Sequence, residues 1–296
     1  MKTRLFLLAA VGIALTACTN DDEVKNNTPV SAVINADISD AVTARASGTT
    51  WDEGDRIGIS ESRLGYTNVP YKREKGKFEP TGTVIYFQDA SPITFSAYYP
   101  YDENGGTLTA TTDADAQQAQ SAIDFLFATG ATADTQNPEV NFTDNTAAGG
   151  KDCSFHHCMS QLTLTFDPGS GVDFTTVKPS GYTLAGLVLK GSFDTTDGTA
   201  KADEGAQKSD LALTLTGGAL TSSVVLFPQT ITSIGLTVMF NGNPYNATLT
   251  VPDGALKPGN NYIYTVTVHN NGLIIVGSAV ISDWNPVNGG NVNADL

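Results

Sequence analysis

Apolar and polar residues alternate with a period of two over much of this chain, so each segment turns one face to a core and reads as a β-strand. Val30, Ala32, Ile34, Ala36 and Ile38 form the first such stripe. The alternation returns at Ile93/Phe95/Ala97/Tyr99, Leu211/Leu213/Leu215, Ile234/Leu236/Val238/Phe240, Tyr245/Ala247/Leu249/Val251 and Tyr262/Tyr264/Val266/Val268. Shorter strands are predicted over Arg56–Ser60, Val84–Phe87, Ala122–Ala128, Leu184–Lys190 and Val224–Phe227. Turn signals separate them: Asn104-Gly105-Gly106, Asp197-Gly198, Asn241-Gly242, Pro258-Gly259-Asn260 and Asn271-Gly272. Only Asp113–Ser121 reads as helical. Strands at about ten-residue spacing predict antiparallel β-sandwiches. The polar, glycine-containing stretch Asn141–Asp152 is the best boundary, giving one unit over residues 30–148 and a second over 149–296. No convincing internal repeat is evident.

Two places break the pattern. Between Phe155 and Phe166 the apolar parity changes: Phe155, His157 and Met159 share one face, Leu162, Leu164 and Phe166 the other. A one-residue bulge near Ser160-Gln161 or a strand buried on both faces would account for it. At the start of the chain the alternation gives way to an unbroken apolar run, Leu5–Leu15, preceded by Lys2 and Arg4. Eleven helical residues at ~1.5 Å each reach about half way across a ~30 Å hydrocarbon core. Residues 1–17 therefore read as a secretory signal peptide. Its ending, Leu15-Thr16-Ala17-Cys18, resembles a bacterial lipobox, which makes Cys18 the lipid attachment point and the new amino terminus; an unmodified Cys18 after a plain signal is the alternative. Residues 18–29 are polar and acidic and form a tether.

Composition agrees with an exported β-protein: 40% apolar residues, 29 glycines and 16% charged residues. The net charge of −15 becomes −17 once Lys2 and Arg4 leave with the signal, which excludes nucleic acid as a partner. After Cys18 only Cys153 and Cys158 remain. In one continuous strand they would point to opposite faces about 16 Å apart, too far for a disulfide.

Catalytic signatures are absent. There is no G-x-S-x-G elbow, dinucleotide fingerprint, phosphate loop or H-E-x-x-H, and the three histidines His156, His157 and His269 lie in no catalytic motif. An enzyme is not expected, and no cofactor or metal is. Cys153, His156, His157 and Cys158 are the residue types zinc prefers, but a strand offers only two of them per face where a structural site needs about four. Tyr98, Tyr99 and Tyr101 could stack on sugars or pack at a sheet end.

Several segments together resemble the fimbrillin family, the subunits of type V pili of Bacteroidales. Thr43-Ala44-Arg45-Ala46 shortly before Trp51-Asp52-Glu53-Gly54-Asp55-Arg56-Ile57-Gly58-Ile59 resembles its amino-terminal arginine followed by W-x-x-G-D-x-I-x-I. Phe155-His156-His157 with Met159-Ser160-Gln161-Leu162 resembles its F-x-H-x-x-S-x-L strand. Pro258–Val266 and Ile281-Ser282-Asp283-Trp284 resemble its G-x-x-Y-x-Y-x-V and I-x-x-W endings. The resemblance implies two consecutive transthyretin-like sandwiches. It also implies a maturation step in which a protease cuts after an arginine, here between Arg45 and Ala46. That cut releases the lipid anchor together with the first strand, Val30, Ala32, Ile34, Ala36 and Ile38. The vacated groove then takes a strand from another subunit, for which Leu273, Ile275, Gly277, Ala279 and Ile281 are the candidate donor positions. The expected protein is an outer-membrane lipoprotein before processing and a structural or adhesive part of a surface fimbrium afterwards. Its expected partners are other pilus subunits and a host or bacterial surface ligand. The alternative is a monomeric surface lipoprotein that keeps its anchor and binds glycans.

Overall fold

The computed structural model describes residues 29–39, 50–270 and 274–283. Cys18, Arg45, Ala46, Leu273 and Trp284 lie outside the described residues, as do the signal peptide and almost all of the tether. The protein is all-β.

An eight-stranded sheet occupies the amino-terminal half, in the order Glu139–Phe142, Val33–Ala36, Lys77–Pro80, Val69–Glu74, Arg56–Glu61, Ile93–Tyr99, Leu126–Ala133 and His156–His157. The period-two pattern explains its inner face, where Ile34, Ile57, Ile59, Tyr71, Phe78, Phe95, Val140 and Phe142 meet in one core. Lys75 and Gly76 both have positive φ, the geometry of the tight hairpin joining Val69–Glu74 to Lys77–Pro80. The sheet curls until its ends approach, and an isolated parallel bridge joins Ile38, just past the second strand in that order, to Phe155, just before the last.

The carboxy-terminal half is a sandwich of two sheets. One is ordered Thr221–Leu226, Ser160–Pro168 and Asn260–Val268, with Ile274–Val276 and Val280–Asp283 sharing the free side of Asn260–Val268. The other is ordered Ser209–Thr214, Gly181–Leu187, Ser233–Phe240 and Asn243–Thr250. Leu162, Leu164, Tyr264 and Val266 from the first meet Leu184, Leu236 and Val238 from the second. The two halves are stitched together by a third sheet, in which Thr107–Thr111 pairs with Lys190–Asp194 and that with Ala200–Ala202. Beneath it Phe125 stacks on Phe193, centroids 4.7 Å apart, in a cluster with Met159 and Phe227.

Four expectations need correction. Cys153–Cys158 is not one strand: only His156–His157 is paired, and the next strand starts at Ser160. Both thiols are free and buried. The change of parity after Phe155 arises because the segment passes between cores. Phe155 belongs to the first, Met159 to the layer between the halves and Leu162 to the second. The strand Ser160–Pro168 is also covered on both faces through Leu164. Residues 122–125 are not strand; the strand begins at Leu126, after a short 3-10 helix at Ala116–Ala122. Finally, the pairing is not antiparallel throughout, because Val33–Ala36 runs parallel to Glu139–Phe142 and Ser160–Pro168 parallel to Asn260–Val268. Alternation reports burial of a face and says nothing of a neighbour's direction. His156–His157 closes the first sheet by pairing with Leu126 and Phe127.

That 3-10 helix closes a sheet edge. Gln117 is buried and treats Val225 as a strand would: its Nε2 donates to the Val225 carbonyl (2.8 Å) and its Oε1 accepts the Val225 N–H (3.0 Å). Gln120 donates to the Ser223 carbonyl at 2.8 Å. Two glutamines thus satisfy the outer edge of Thr221–Leu226, which would otherwise invite another chain. Gln117→Leu should lower unfolding free energy by about 2–6 kcal/mol in urea titrations, since it orphans a buried donor and a buried acceptor at about 1–3 kcal/mol each.

Candidate functional site

The segment of greatest interest is the amino-terminal strand, which sits inside the sheet rather than at its margin. Val33–Ala36 lies between Glu139–Phe142 on one side and Lys77–Pro80 on the other, with Ile34 opposite both Val140 and Phe78. Backbone bonds hold its whole length. The Ala32 N–H donates to the Ile85 carbonyl (2.9 Å), Val33 N–H to Pro138 (2.9 Å), Asp37 N–H to Phe142 (2.9 Å) and Ser39 N–H to Phe155 (2.8 Å). Ala32, Ile34, Ala36 and Ile38 are buried, whereas Val30 is half-buried and Val33 is exposed. Asn35, on the outer face, donates to the Asn141 side chain at 2.8 Å. The two isoleucines alone contribute about 3–6 kcal/mol of apolar burial.

Trp51 fastens this strand from the far side of residues 40–49. Its indole Nε1 donates to the Ala36 carbonyl at 2.8 Å. The ring is met edge-on by Phe78, Tyr99 and Phe155, with centroids 5.0–5.4 Å apart. The rest of the W-x-x-G-D motif builds the platform. Gly54 adopts φ +101°, open to glycine and strained for other residues. Asp55 accepts the Asp52 N–H (2.7 Å) and the Tyr99 hydroxyl (3.1 Å). Glu53 accepts the N–H groups of Lys75 and Gly76, each at 2.7 Å. Burial and the neighbouring Asp55 carboxylate push the Tyr99 hydroxyl pKa well above its ordinary value, so it stays a donor. Trp51 and Phe155, from two separate sequence motifs, therefore meet over one backbone carbonyl. Two cavities of about 280 Å³ flank the indole, and Ser39 and Thr50, the residues on either side of 40–49, both line one of them.

At the other end of the chain, Ile274–Val276 and Val280–Asp283 pair antiparallel with Asn260–Val268. Neither segment has a second hydrogen-bonded neighbour among the described residues. In the first segment Ile274 is buried and Ile275 is exposed, opposite to the parity expected from the sequence. The register then slips by one residue between Val276 and Val280, which brings Ala279 against the core and pairs Ile281 with Tyr262. An alternation rule cannot anticipate such a bulge.

The remaining candidate residues are occupied elsewhere. His157 Nδ1 lies 2.9 Å from Asp124 Oδ1, both side chains buried, and His156 Nε2 lies 3.2 Å from Asp152 Oδ2. No group of three or more possible metal ligands occurs among the described residues. Burial, reinforced by Asp124 and Asp197, pushes the Cys158 thiol up to about 12. The thiol therefore stays protonated at pH 8 as well as buried, so Cys158 should resist a thiol reagent in the folded protein and react fully on unfolding. Tyr98 is no sugar platform: it is buried, and its hydroxyl donates to Asn68 Oδ1 at 2.7 Å. Gly58, packed beneath it, has no room for a Cβ, which would collide with the Tyr98 ring and the Asn68 side chain. Gly58→Ala should destabilise by about 1–3 kcal/mol in thermal melts.

The fimbrillin-like family model matches residues 44–284, most of the chain. The chain belongs to the fimbrillin-like family. It is 27% identical to the "Putative fimbrium subunit Fim1C" of Bacteroides uniformis, over 98% of both chains. Among solved structures it is similar to a "putative cell adhesion protein" from Bacteroides ovatus at 27% identity and a TM-score of 0.70, covering 86% of this chain and 97% of that one. A second protein of that description, from Bacteroides uniformis, shares the fold with a TM-score of 0.70 at 23% identity, over 88% of this chain and 99% of that one. Fimbrillin-like proteins are a family of fimbrial subunits, not an enzyme family.

Proposed function

We propose that this fimbrillin-like chain is a structural or adhesive subunit of a surface fimbrium. In this reading it is exported as an outer-membrane lipoprotein acylated at Cys18 and matured by cleavage between Arg45 and Ala46. It then polymerises when its vacated slot accepts a strand from a neighbouring subunit. One observation carries the reading: the strand lost by that cut fills an interior position of its sheet, with Ile34 between Val140 and Phe78.

Physical chemistry supplies the driving force. Removing residues up to Arg45 opens both flanking strands along the slot, uncovers the sites of Ile34 and Ile38, and takes the acceptor away from the Trp51 indole. Each unpaired buried polar group costs about 1–3 kcal/mol, so the cut chain is held in a high-energy form until another strand enters. Strand addition of this kind needs no nucleotide. The cut segment also carries the lipid, so processing frees the subunit from the membrane as it makes it competent to assemble. The described residues on either side of the cut segment, Ser39 and Thr50, line one cavity rather than packing in the core. Mass spectrometry of fimbriae sheared from cells should find Ala46 as the amino terminus and no acyl chain. Subunits that begin at an acylated Cys18 would overturn the processing step.

A further inference from the structure

The tetrapeptide Ser-Ala-Val-Ile occurs twice in this chain, at Ser31–Ile34 and at Ser278–Ile281. A short repeat in a chain of this length means little by itself. Its weight lies in where the copies fall: one runs into the interior amino-terminal strand Val33–Ala36, and the other runs into the carboxy-terminal edge strand Val280–Asp283.

We propose that Ser278–Ile281 of a second copy of this chain enters the vacated slot in the register of Ser31–Ile34, running parallel to Glu139–Phe142. The inference rests on the strand exchange proposed above and adds the partner and the register to it.

Side-chain volumes select this register. It places Ala279 at the buried site of Ala32 and Ile281 at the buried site of Ile34, an exact replacement at both. Val280 takes the exposed outward position of Val33 opposite Glu139, and Ser282 takes that of Asn35 opposite Asn141. Gly277 falls at Val30, which is only half-buried, so the loss there is small. The slot contains a second Ala-x-Ile step, Ala36-Asp37-Ile38, and a strand slid four residues along would also match it. That register, however, puts Gly277 at the Ile34 site, leaving a cavity, and Ile275 at the Ala32 site, overfilling it. Both errors destabilise a packed core. A slip of two residues sets Ala279 against an isoleucine site and Ile281 against an alanine site, which is worse at both. The match ends at Asp283, which falls at buried Ala36. A carboxylate is unfavourable there, so Asp283→Ala should strengthen the joint.

The donor also has a reason to leave its own sheet. At home it has one hydrogen-bonded neighbour, Asn260–Val268, and a bulge between Val276 and Val280. In the slot it has two. The opposite margin of its home sheet is closed by Gln117 and Gln120.

Cysteine trapping tests the register. Full-length chains with Cys18→Ser and Glu139→Cys are mixed with chains carrying Cys18→Ser and one of Val276→Cys, Ser278→Cys or Val280→Cys, then treated with low-dose trypsin and a mild oxidant. Directly opposed Cα atoms in neighbouring strands lie within disulfide reach, whereas a slip of two residues moves them beyond it. The expected result is an intermolecular disulfide between positions 139 and 280 in at least about tenfold excess over 139–276 and 139–278, equivalent to about 1.4 kcal/mol of register preference. Polymers trapped at 276 or 278, or equally at all three, overturn the register and leave strand exchange standing. Failure to polymerise at all, in wild type as well as in the variants, overturns strand exchange and the register with it.

Discussion

Trp51→Ala should destabilise the unprocessed chain by about 3 kcal/mol, the low end of the range for removing a buried aromatic side chain, because the ring is half-buried against the core. At this chain length that lowers the melting temperature by roughly 10 °C. The size of the effect follows from the position of the ring. It is met by Phe78, Tyr99 and Phe155 and donates to the Ala36 carbonyl, so its loss opens a cavity and orphans a backbone acceptor together. Trp51→Phe keeps part of the edge-on contacts, removes the donor and leaves a smaller void, and should cost about 1–2 kcal/mol. The two variants also differ in kind. Without the ring the amino-terminal strand keeps its ladder and its buried isoleucines but loses its clamp, so Trp51→Ala should exchange strands slowly without protease, while Trp51→Phe should stay monomeric. Thermal melts and size-exclusion chromatography of the uncut proteins measure both. If Trp51→Ala melts within about 1 kcal/mol of wild type, the indole is not what fastens the strand.

Ile34→Asp should have the second large effect, and should separate the strand from the rest of the fold. Ile34 is 4% exposed between Val140 and Phe78, with no cation described against it. A buried carboxylate without a partner costs about 3–5 kcal/mol, beyond the lost apolar burial. The strand should leave its slot while the carboxy-terminal sandwich, whose core contains no residue from it, stays folded. Trypsin should then cut the 40–49 segment faster than in wild type, with the remaining product still resistant. The sign of the pH dependence is fixed. In the slot the carboxyl pKa is raised above its unfolded value, so the variant gains relative stability as pH falls and loses it as pH rises through the raised pKa. Detachment should therefore ease below about pH 5 and be full at neutral pH. Uniform unfolding of both halves would contradict the separation.

Much of this fold was legible because alternation is a local signal. Ile234/Leu236/Val238/Phe240 and Tyr262/Tyr264/Val266/Val268 are strands with buried stripes, as their spacing requires. Asn241-Gly242 forms the tight turn its residues favour, with both φ values positive. What the pattern could not carry is partnership. Nothing local says that Val33–Ala36 has Glu139–Phe142 as its parallel neighbour, or that Phe155 and Leu162 belong to different cores. Parity also fails wherever an extra residue is inserted, as between Val276 and Val280. Gln117, a polar residue in a short helical stretch, reads as solvent-facing, yet it stands in for a strand. The W-x-x-G-D motif carries no sign of the indole bond to Ala36 either, because that partner lies fifteen residues away across the sheet. The repeated Ser-Ala-Val-Ile was present in the sequence throughout and acquires meaning only once one copy is seen inside the amino-terminal sheet and the other leading into the carboxy-terminal edge strand.

The central claim is that the amino-terminal strand is a removable occupant whose loss drives assembly. Low-dose trypsin on the purified full-length chain, followed by gel electrophoresis without boiling, tests it most directly. The account predicts one cut, between Arg45 and Ala46, followed by a ladder of oligomers, with neither cut nor ladder in Arg45→Ala. A chain cut at Arg45 that stays monomeric, or an Arg45→Ala chain that polymerises as wild type does under the same treatment, would contradict it.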